Sequence, residues 1–127
     1  MASDGKKILL VEDEADITTI LAFRLSKIGF TVLEARTGAQ GLEMARSNRP
    51  DLIILDLMLP ELPGEEVCKA IREDMDEVFA RTPIIMVTAK DSEVDQIIGR
   101  SIGANSYVTK PFDVEVLLKE IHKLLQI

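Results

Sequence analysis

The stretch Pro50-Asp-Leu-Ile-Ile-Leu-Asp-Leu-Met-Leu-Pro-Glu-Leu-Pro-Gly64 decides the fold. Leu52 to Leu55 is an unbroken run of large apolar residues with no polar alternation. Such a run reads as a strand covered on both faces, as in a parallel sheet flanked by helices. It breaks on Asp56, an acid that a buried strand does not favour. Pro60, Pro63 and Gly64 then exclude strand and helix for several residues. An acid is therefore held at a strand tip ahead of a stiff loop. Taken alone, it reads as a helix cap or a satisfied loop anion; two further strand endings change that reading.

Ile8-Leu-Leu-Val11 is a second apolar run, and it ends in Glu12, Asp13 and Glu14. These acids complement the positive end of a following helix. Ile17, Ile20, Leu21, Leu25 and Ile28 recur at helical spacing, and Gly29 stops that helix. Thr31 to Ala35 is a strand whose apolarity Glu34 interrupts, as expected nearer an edge. A short helix runs from Thr37-Gly38 to about Ser47, with Leu42 and Ala45 inward. After Gly64 a helix is expected to carry Val67, Ile71 and Met75 on one stripe. Asp74 to Thr82 reads as either a packed extra turn or a folded-back loop. Ile84-Ile-Met-Val87 is a third buried strand, ending in Thr88-Ala89. Asp91 or Ser92 caps a helix closed by Gly103. Ser106 to Thr109 is a short strand, Lys110-Pro111-Phe112 follows it, and Asp113 caps a last helix with Leu117, Leu118, Ile121, Leu124 and Leu125 inward.

Five strands alternating with five helices give an α/β fold, a doubly wound parallel sheet with right-handed crossovers and helices on both faces. Its 127 residues suit one domain, with residues 1–6 expected as a flexible lead. A net charge of −7 disfavours direct binding to nucleic acid or to an anionic membrane. A single Cys and a single His exclude an internal disulfide and disfavour structural zinc. Cys68 reads as a small core residue on a helix, and His122 as a solvated helix position. The polar start lacks a signal-peptide pattern and no apolar run reaches membrane-spanning length, so a cytoplasmic location is expected.

Ligands on such sheets bind outside the carboxyl ends of the strands. Glu12, Asp13 and Asp56 would crowd together there and raise one another's pKa values. A hard divalent cation relieves that repulsion, and Mg²⁺ typically takes one or two carboxylates with water and phosphate oxygens. Lys110 supplies a compact positive charge and Thr88 a hydroxyl donor. No Walker or dinucleotide-binding glycine pattern and no Ser/His/Asp set is present. What remains is a carboxylate able to attack a phosphoryl group, with a metal and a cation to neutralise charge.

Val11-Glu-Asp-Glu14, Asp56 with Pro60 and Gly64, Thr88-Ala89 and Lys110-Pro-Phe112 together resemble the receiver domain of two-component response regulators, over about residues 6 to 126. The resemblance implies a flavodoxin-like sheet of order 2-1-3-4-5 and a phosphorelay module. It implies Asp56 as the phosphoacceptor, charged from the phosphohistidine of a sensor histidine kinase or a phosphotransfer protein. Asp13, Asp56 and the backbone carbonyl of Met58 would hold Mg²⁺, with Glu12 acting through water. Lys110 would pair with Asp56 and then with the phosphoryl group. Thr88 would shift toward that group and Tyr107 would turn inward, changing a face that meets a downstream protein. A cis Lys110-Pro111 bond is expected. Met58 and Lys90 stand where the family tunes dephosphorylation.

The resemblance extends to the subfamily with winged-helix DNA-binding outputs, whose receivers dimerise. Paired acids before the fifth strand and an Arg early in the last helix usually serve that dimer. Here Asn105-Ser106 and Glu115 stand in those places. After Gln126-Ile127 no effector segment follows, which fits either a stand-alone protein or an excised receiver. A haloacid-dehalogenase-type phosphohydrolase shares the Asp nucleophile, Mg²⁺, Thr and Lys, but it carries a second Asp where this chain has Met58. A third alternative is an interaction adaptor that is never phosphorylated.

Overall fold

A computed structural model describes residues 4–89 and 92–127. The elements are β1 (Lys7–Val11), α1 (Ala15–Ile28), β2 (Thr31–Ala35), α2 (Gly38–Asn48), β3 (Leu52–Leu55), α3 (Gly64–Arg72), α4 (Glu77–Ala80), β4 (Ile84–Thr88), α5 (Glu93–Ile102), β5 (Ser106–Thr109) and α6 (Val114–Leu125). One parallel sheet runs β2-β1-β3-β4-β5. Strand order reverses at β1, so the crevice of a doubly wound sheet falls between the tips of β1 and β3. The register places Val11 opposite Leu55, Leu55 opposite Met86, and Thr88 opposite Thr109. The residues just beyond these tips therefore face one another.

Successive strand residues point to opposite faces, and each face has its own core. Leu9, Val11, Ile53, Leu55, Ile84 and Met86 pack with Ala45, Val67, Cys68, Ile71 and Phe79. Ile8, Leu10, Leu52, Ile54, Ile85 and Val87 pack with Leu21, Leu25, Leu117, Leu118 and Ile121. All of Leu52 to Leu55 is buried, each side chain contributing roughly 1.5–3 kcal/mol by leaving water. As expected, β2 is an edge strand and Cys68 is buried. His122 is half-buried, with its ring 6.4 Å from that of Phe30. Residues 5 and 6 are tied down: Gly5 N–H donates to the Gly29 carbonyl, and Thr31 N–H donates to that of Lys6. Met1 to Ser3, the first half of the lead expected to be flexible, lie outside the described residues.

Three expectations are corrected. Among the described residues there are six helices, because α4 is a packed extra turn. Asp76 caps it through the N–H groups of Val78 and Phe79, and Phe79 is buried. Met75 is not on the α3 stripe: α3 ends at Arg72, and Met75 is 97% exposed in the turn that follows. Ile20 is exposed rather than core, because α1 buries only the arc through Thr18, Leu21 and Leu25. Ser92 caps α5, accepting from Asp95 N–H at 3.0 Å; Asp91 lies outside the described residues.

Arg72, at the end of α3, ties four segments together. Its Nε donates to the Gly103 carbonyl (3.0 Å). Nη1 donates to the carbonyls of Ala80 and Thr82 (2.8 Å each), and Nη2 to Asn105 Oδ1 (2.8 Å). Asn105 Oδ1 also accepts from Ile84 N–H at 2.9 Å, so this side chain joins the start of β4 to the start of β5.

Candidate functional site

The carboxyl ends of the strands bring the expected acids together. Glu12 N–H donates to the Ala35 carbonyl and Asp56 N–H to the Val11 carbonyl, both at 3.0 Å. The sheet pattern thus extends one residue past each tip and fixes where each carboxylate starts. Oxygens of Glu12, Asp13 and Asp56 all lie within 4.8 Å of one another. Glu12 and Asp56 are buried, whereas Asp13 faces solvent. Asp56 Oδ1 accepts from Met58 N–H at 3.0 Å, which turns the chain out of the strand.

The loop then returns close to its origin. Gly64 N–H donates to the Leu57 carbonyl at 3.0 Å. A Cβ on Gly64 would stand 2.2 Å from the Asp56 carbonyl oxygen and 2.7 Å from Leu57 Cα. Only glycine permits that approach, which explains why the stiff loop ends on Gly64.

Lys110 reaches the cluster from beyond β5. Its N–H donates to the Thr88 carbonyl at 2.8 Å, and its bond to Pro111 is cis, as expected. Lys110 Nζ lies 2.9 Å from Glu12 Oε1, 3.0 Å from Asp56 Oδ2 and 3.1 Å from Glu14 Oε1. Burial is the largest influence on Glu12 and, helped by the charge of Asp56, pushes its carboxyl up to about 7. Hydrogen bonds from Lys110 and from the Glu14 N–H oppose that rise without cancelling it. Burial alone would lower the Lys110 pKa, but its bonds to Glu12, Asp56 and Glu14 outweigh it and the ammonium is held charged.

Asp13, Glu14, Asp56, Met58, Ala89 and Lys110 line a cleft of about 250 Å³. Thr88 is fully buried at the tip of β4. Tyr107 is half-buried on β5 opposite Met86. Its ring packs so closely on α5 that a Cβ at Gly99 would be 2.8 Å from Tyr107 Cε2. Lys90 lies outside the described residues. Glu14 joins the Lys110 pairing although only a place at the positive end of α1 was expected of it; its only sequence signal is its place in the acid run. The dimer positions of the resemblance are engaged within the chain. Asn105 accepts from Arg72, Ser106 Oγ lies 2.6 Å from Glu120 Oε1, and Glu115 pairs with Arg24.

The sequence model of the response regulator receiver domain matches residues 8–122. The alkaline phosphatase synthesis transcriptional regulatory protein PhoP of Bacillus subtilis (strain 168) is 42% identical over 122 residues, which are 96% of this chain and 49% of PhoP. The chain thus spans about half the length of that relative. The BeF3-activated N-terminal receiver domain of Klebsiella pneumoniae RstA superposes with a TM-score of 0.86 at 30% identity, covering 96% of this chain and 100% of that one. The receiver domain of the Pseudomonas aeruginosa PAO1 sensor histidine kinase PA1611, solved with a magnesium ion coordinated in its active-site cleft, gives 0.86 at 31% identity, covering 97% and 99%. With its sheet order, acid cluster and Lys110 pairing, this chain belongs to the response regulator receiver domains of two-component systems.

Proposed function

We propose that Asp56 is the phosphoacceptor of this receiver, charged from the phosphohistidine of a sensor histidine kinase or a phosphotransfer protein. One observation carries the reading: Asp56, buried at a strand tip, has its carboxylate within 4.8 Å of those of Glu12 and Asp13 and pairs with Lys110 at 3.0 Å. The donor set is all hard oxygen, with more negative charge than Lys110 balances, and fits Mg²⁺. Asp13, Asp56 and the Met58 carbonyl would hold the ion, with Glu12 acting through water. When bound, Mg²⁺ supplies Lewis-acid neutralisation of phosphoryl oxygens.

The chain's own groups then divide the work. A carboxylate oxygen of Asp56 attacks phosphorus as the bond to the donor's imidazole nitrogen breaks. Lys110 exchanges its pairing with Asp56 for a phosphoryl oxygen and stabilises charge as it develops. Thr88 donates its hydroxyl to the phosphoryl group, and Tyr107 takes up the space Thr88 leaves. The exposed Val94, Ile97 and Ile98 on α5 and Val116 on α6 supply a face whose contacts can differ between two states. That face would meet a downstream protein target or, in a phosphorylation-dependent dimer, a second receiver. An apolar groove formed by Ile17, Ile20, Leu21, Pro111 and Phe112 shares Glu14 and Lys110 with the cleft, and it suits a donor's helical surface. No helix among the described residues is long and apolar enough to cross a membrane, and we assign the cytoplasm as the site of action, with no direct nucleic acid contact by this chain.

The phosphohydrolase alternative is disfavoured because Met58, where that mechanism needs a proton-transferring Asp, holds a thioether. Incubation with Mg²⁺ and acetyl phosphate followed by intact-mass spectrometry tests the reading. One phosphoryl adduct is expected on the wild type and none on Asp56→Asn, whose amide is nearly isosteric. An adduct that persists on the Asn variant overturns the assignment, and turnover of many equivalents of phosphodonor restores the hydrolase.

A further inference from the structure

The five methionines of the chain are not equivalent. Met86 is buried and Met44 is half-buried, while Met58 and Met75 are exposed at 59% and 97%. Cys68, the other sulfur-bearing residue type, is buried. Among the four methionines of the described residues, solution oxidants therefore meet Met58 and Met75 first. Met75 stands in the turn before α4, away from the cleft. Met58 forms the wall between the acid cleft and a second hollow lined by Leu57, Leu59, Pro60, Pro63 and Glu65, and Asp13 borders both.

We propose that Met58 is an oxidation-sensitive modification site that sets the lifetime of the phosphorylated state. A thioether is a weak hydrogen-bond acceptor, so native Met58 shields the mouth of the cleft without orienting water. A peroxide-class oxidant converts it to the sulfoxide: the Sδ lone pair takes one oxygen as the O–O bond breaks. Sulfur loses two electrons, and hydrogen peroxide gains them and leaves as water. The new oxygen is a strong acceptor at the cleft mouth, beside Asp13 and Asp56. It can hold a water on the solvent side of a phosphoryl group carried by Asp56, the side from which in-line hydrolysis must come. Peroxide would thereby shorten the phosphorylated state, and methionine sulfoxide reduction would restore it. This inference rests on Asp56 being the phosphoacceptor.

The test oxidises wild type, Met75→Leu and Met58→Leu with dilute hydrogen peroxide, and peptide mass spectrometry locates the added oxygen. Each protein is then phosphorylated with acetyl phosphate and Mg²⁺, the donor is removed, and phosphate loss is followed by intact mass. Wild type and Met75→Leu are expected to lose phosphate severalfold faster after peroxide. Met58→Leu should decay at one rate before and after, and reductase treatment of wild type should reverse the change. The proposal is overturned if Met58 stays reduced while Met75 oxidises. Decay of the Met58 sulfoxide at the untreated rate, or equal acceleration of Met58→Leu, overturns it as well. Untreated wild type that takes up no phosphoryl group instead removes the Asp56 assignment, and this inference with it.

Discussion

Two half-buried cations sit at different places in this molecule, and their surroundings differ in kind. Arg72 spends its guanidinium on four neutral oxygens, three backbone carbonyls and one amide, all within 3.0 Å. Lys110 faces three carboxylates, Glu12, Asp56 and Glu14, with Asp13 close beside them. At Arg72 four of the five guanidinium N–H groups donate to neutral oxygens that join the surrounding segments. At Lys110 one positive charge meets an excess of negative ones in a partly dry cleft. A set of neutral acceptors holds structure together, whereas a surplus of negative charge leaves a site that a further cation can balance.

The largest effect expected from this contrast lies on the structural side. Arg72→Met removes the donors from buried or half-buried carbonyls of Ala80, Thr82 and Gly103, and one of the two donors to the exposed Asn105 Oδ1. A loss of stability on the order of 3 kcal/mol is expected, read from the urea midpoint, with Mg²⁺-induced stabilisation retained. A variant as stable as wild type would break the account of Arg72 as a junction.

On the functional side the expected effects are kinetic. By the family resemblance, Met58→Asn with Lys90→Glu supplies an amide and a carboxylate able to orient water, and phosphate loss should accelerate about tenfold, equivalent to ~1.4 kcal/mol of barrier. The readout is phosphate remaining after the donor is removed, at fixed Mg²⁺. Decay at the wild-type rate removes these two positions from control of the lifetime.

The legibility of the two regions from sequence also differs. Asp56, Glu12, Asp13, Thr88 and Lys110 could be brought together on paper because each ends a short strand or follows one within two residues. Strand tips of a parallel sheet converge whatever the loops do. Arg72 could not be found: an Arg in the last turn of an amphipathic helix reads as a solvated charge, and its partners come from residues 80 to 105. Met75 and Ile20 misled for a related reason. Helical spacing predicts one stripe, but it does not say where a helix stops, as at Arg72, or how wide an arc is covered, as on α1. The extra turn α4 rests on Asp76 capping and on Phe79 lying under the Arg49 guanidinium, 4.9 Å from the ring centroid, a contact between distant segments.

Protonation sharpens the comparison further. Glu12 is held at about 7 in the fold against 4.5 for an ordinary glutamate. Between those values the folded state binds the proton more readily than the unfolded chain. The Glu12 contribution therefore favours folding at acid pH and is lost as pH rises from about 4.5 to about 7. Glu12→Gln lacks this titration, so without divalent metal its urea midpoint should gain on that of wild type across that interval, by an amount on the order of 1 kcal/mol or more. Parallel pH profiles would show that burial leaves Glu12 untouched.

The central claim, that the cleft carries unbalanced negative charge held for a cation, is tested most directly by urea unfolding of wild type and Asp13→Asn, each with and without Mg²⁺. Without metal, removing one of the crowded charges should stabilise the domain by on the order of 1 kcal/mol, given effective dielectrics near a protein surface. Mg²⁺ should raise the wild-type midpoint by binding the native state, and should raise that of the variant far less. Equal Mg²⁺ shifts in the two proteins, or an Asp13→Asn variant less stable than wild type in the absence of metal, would contradict the account.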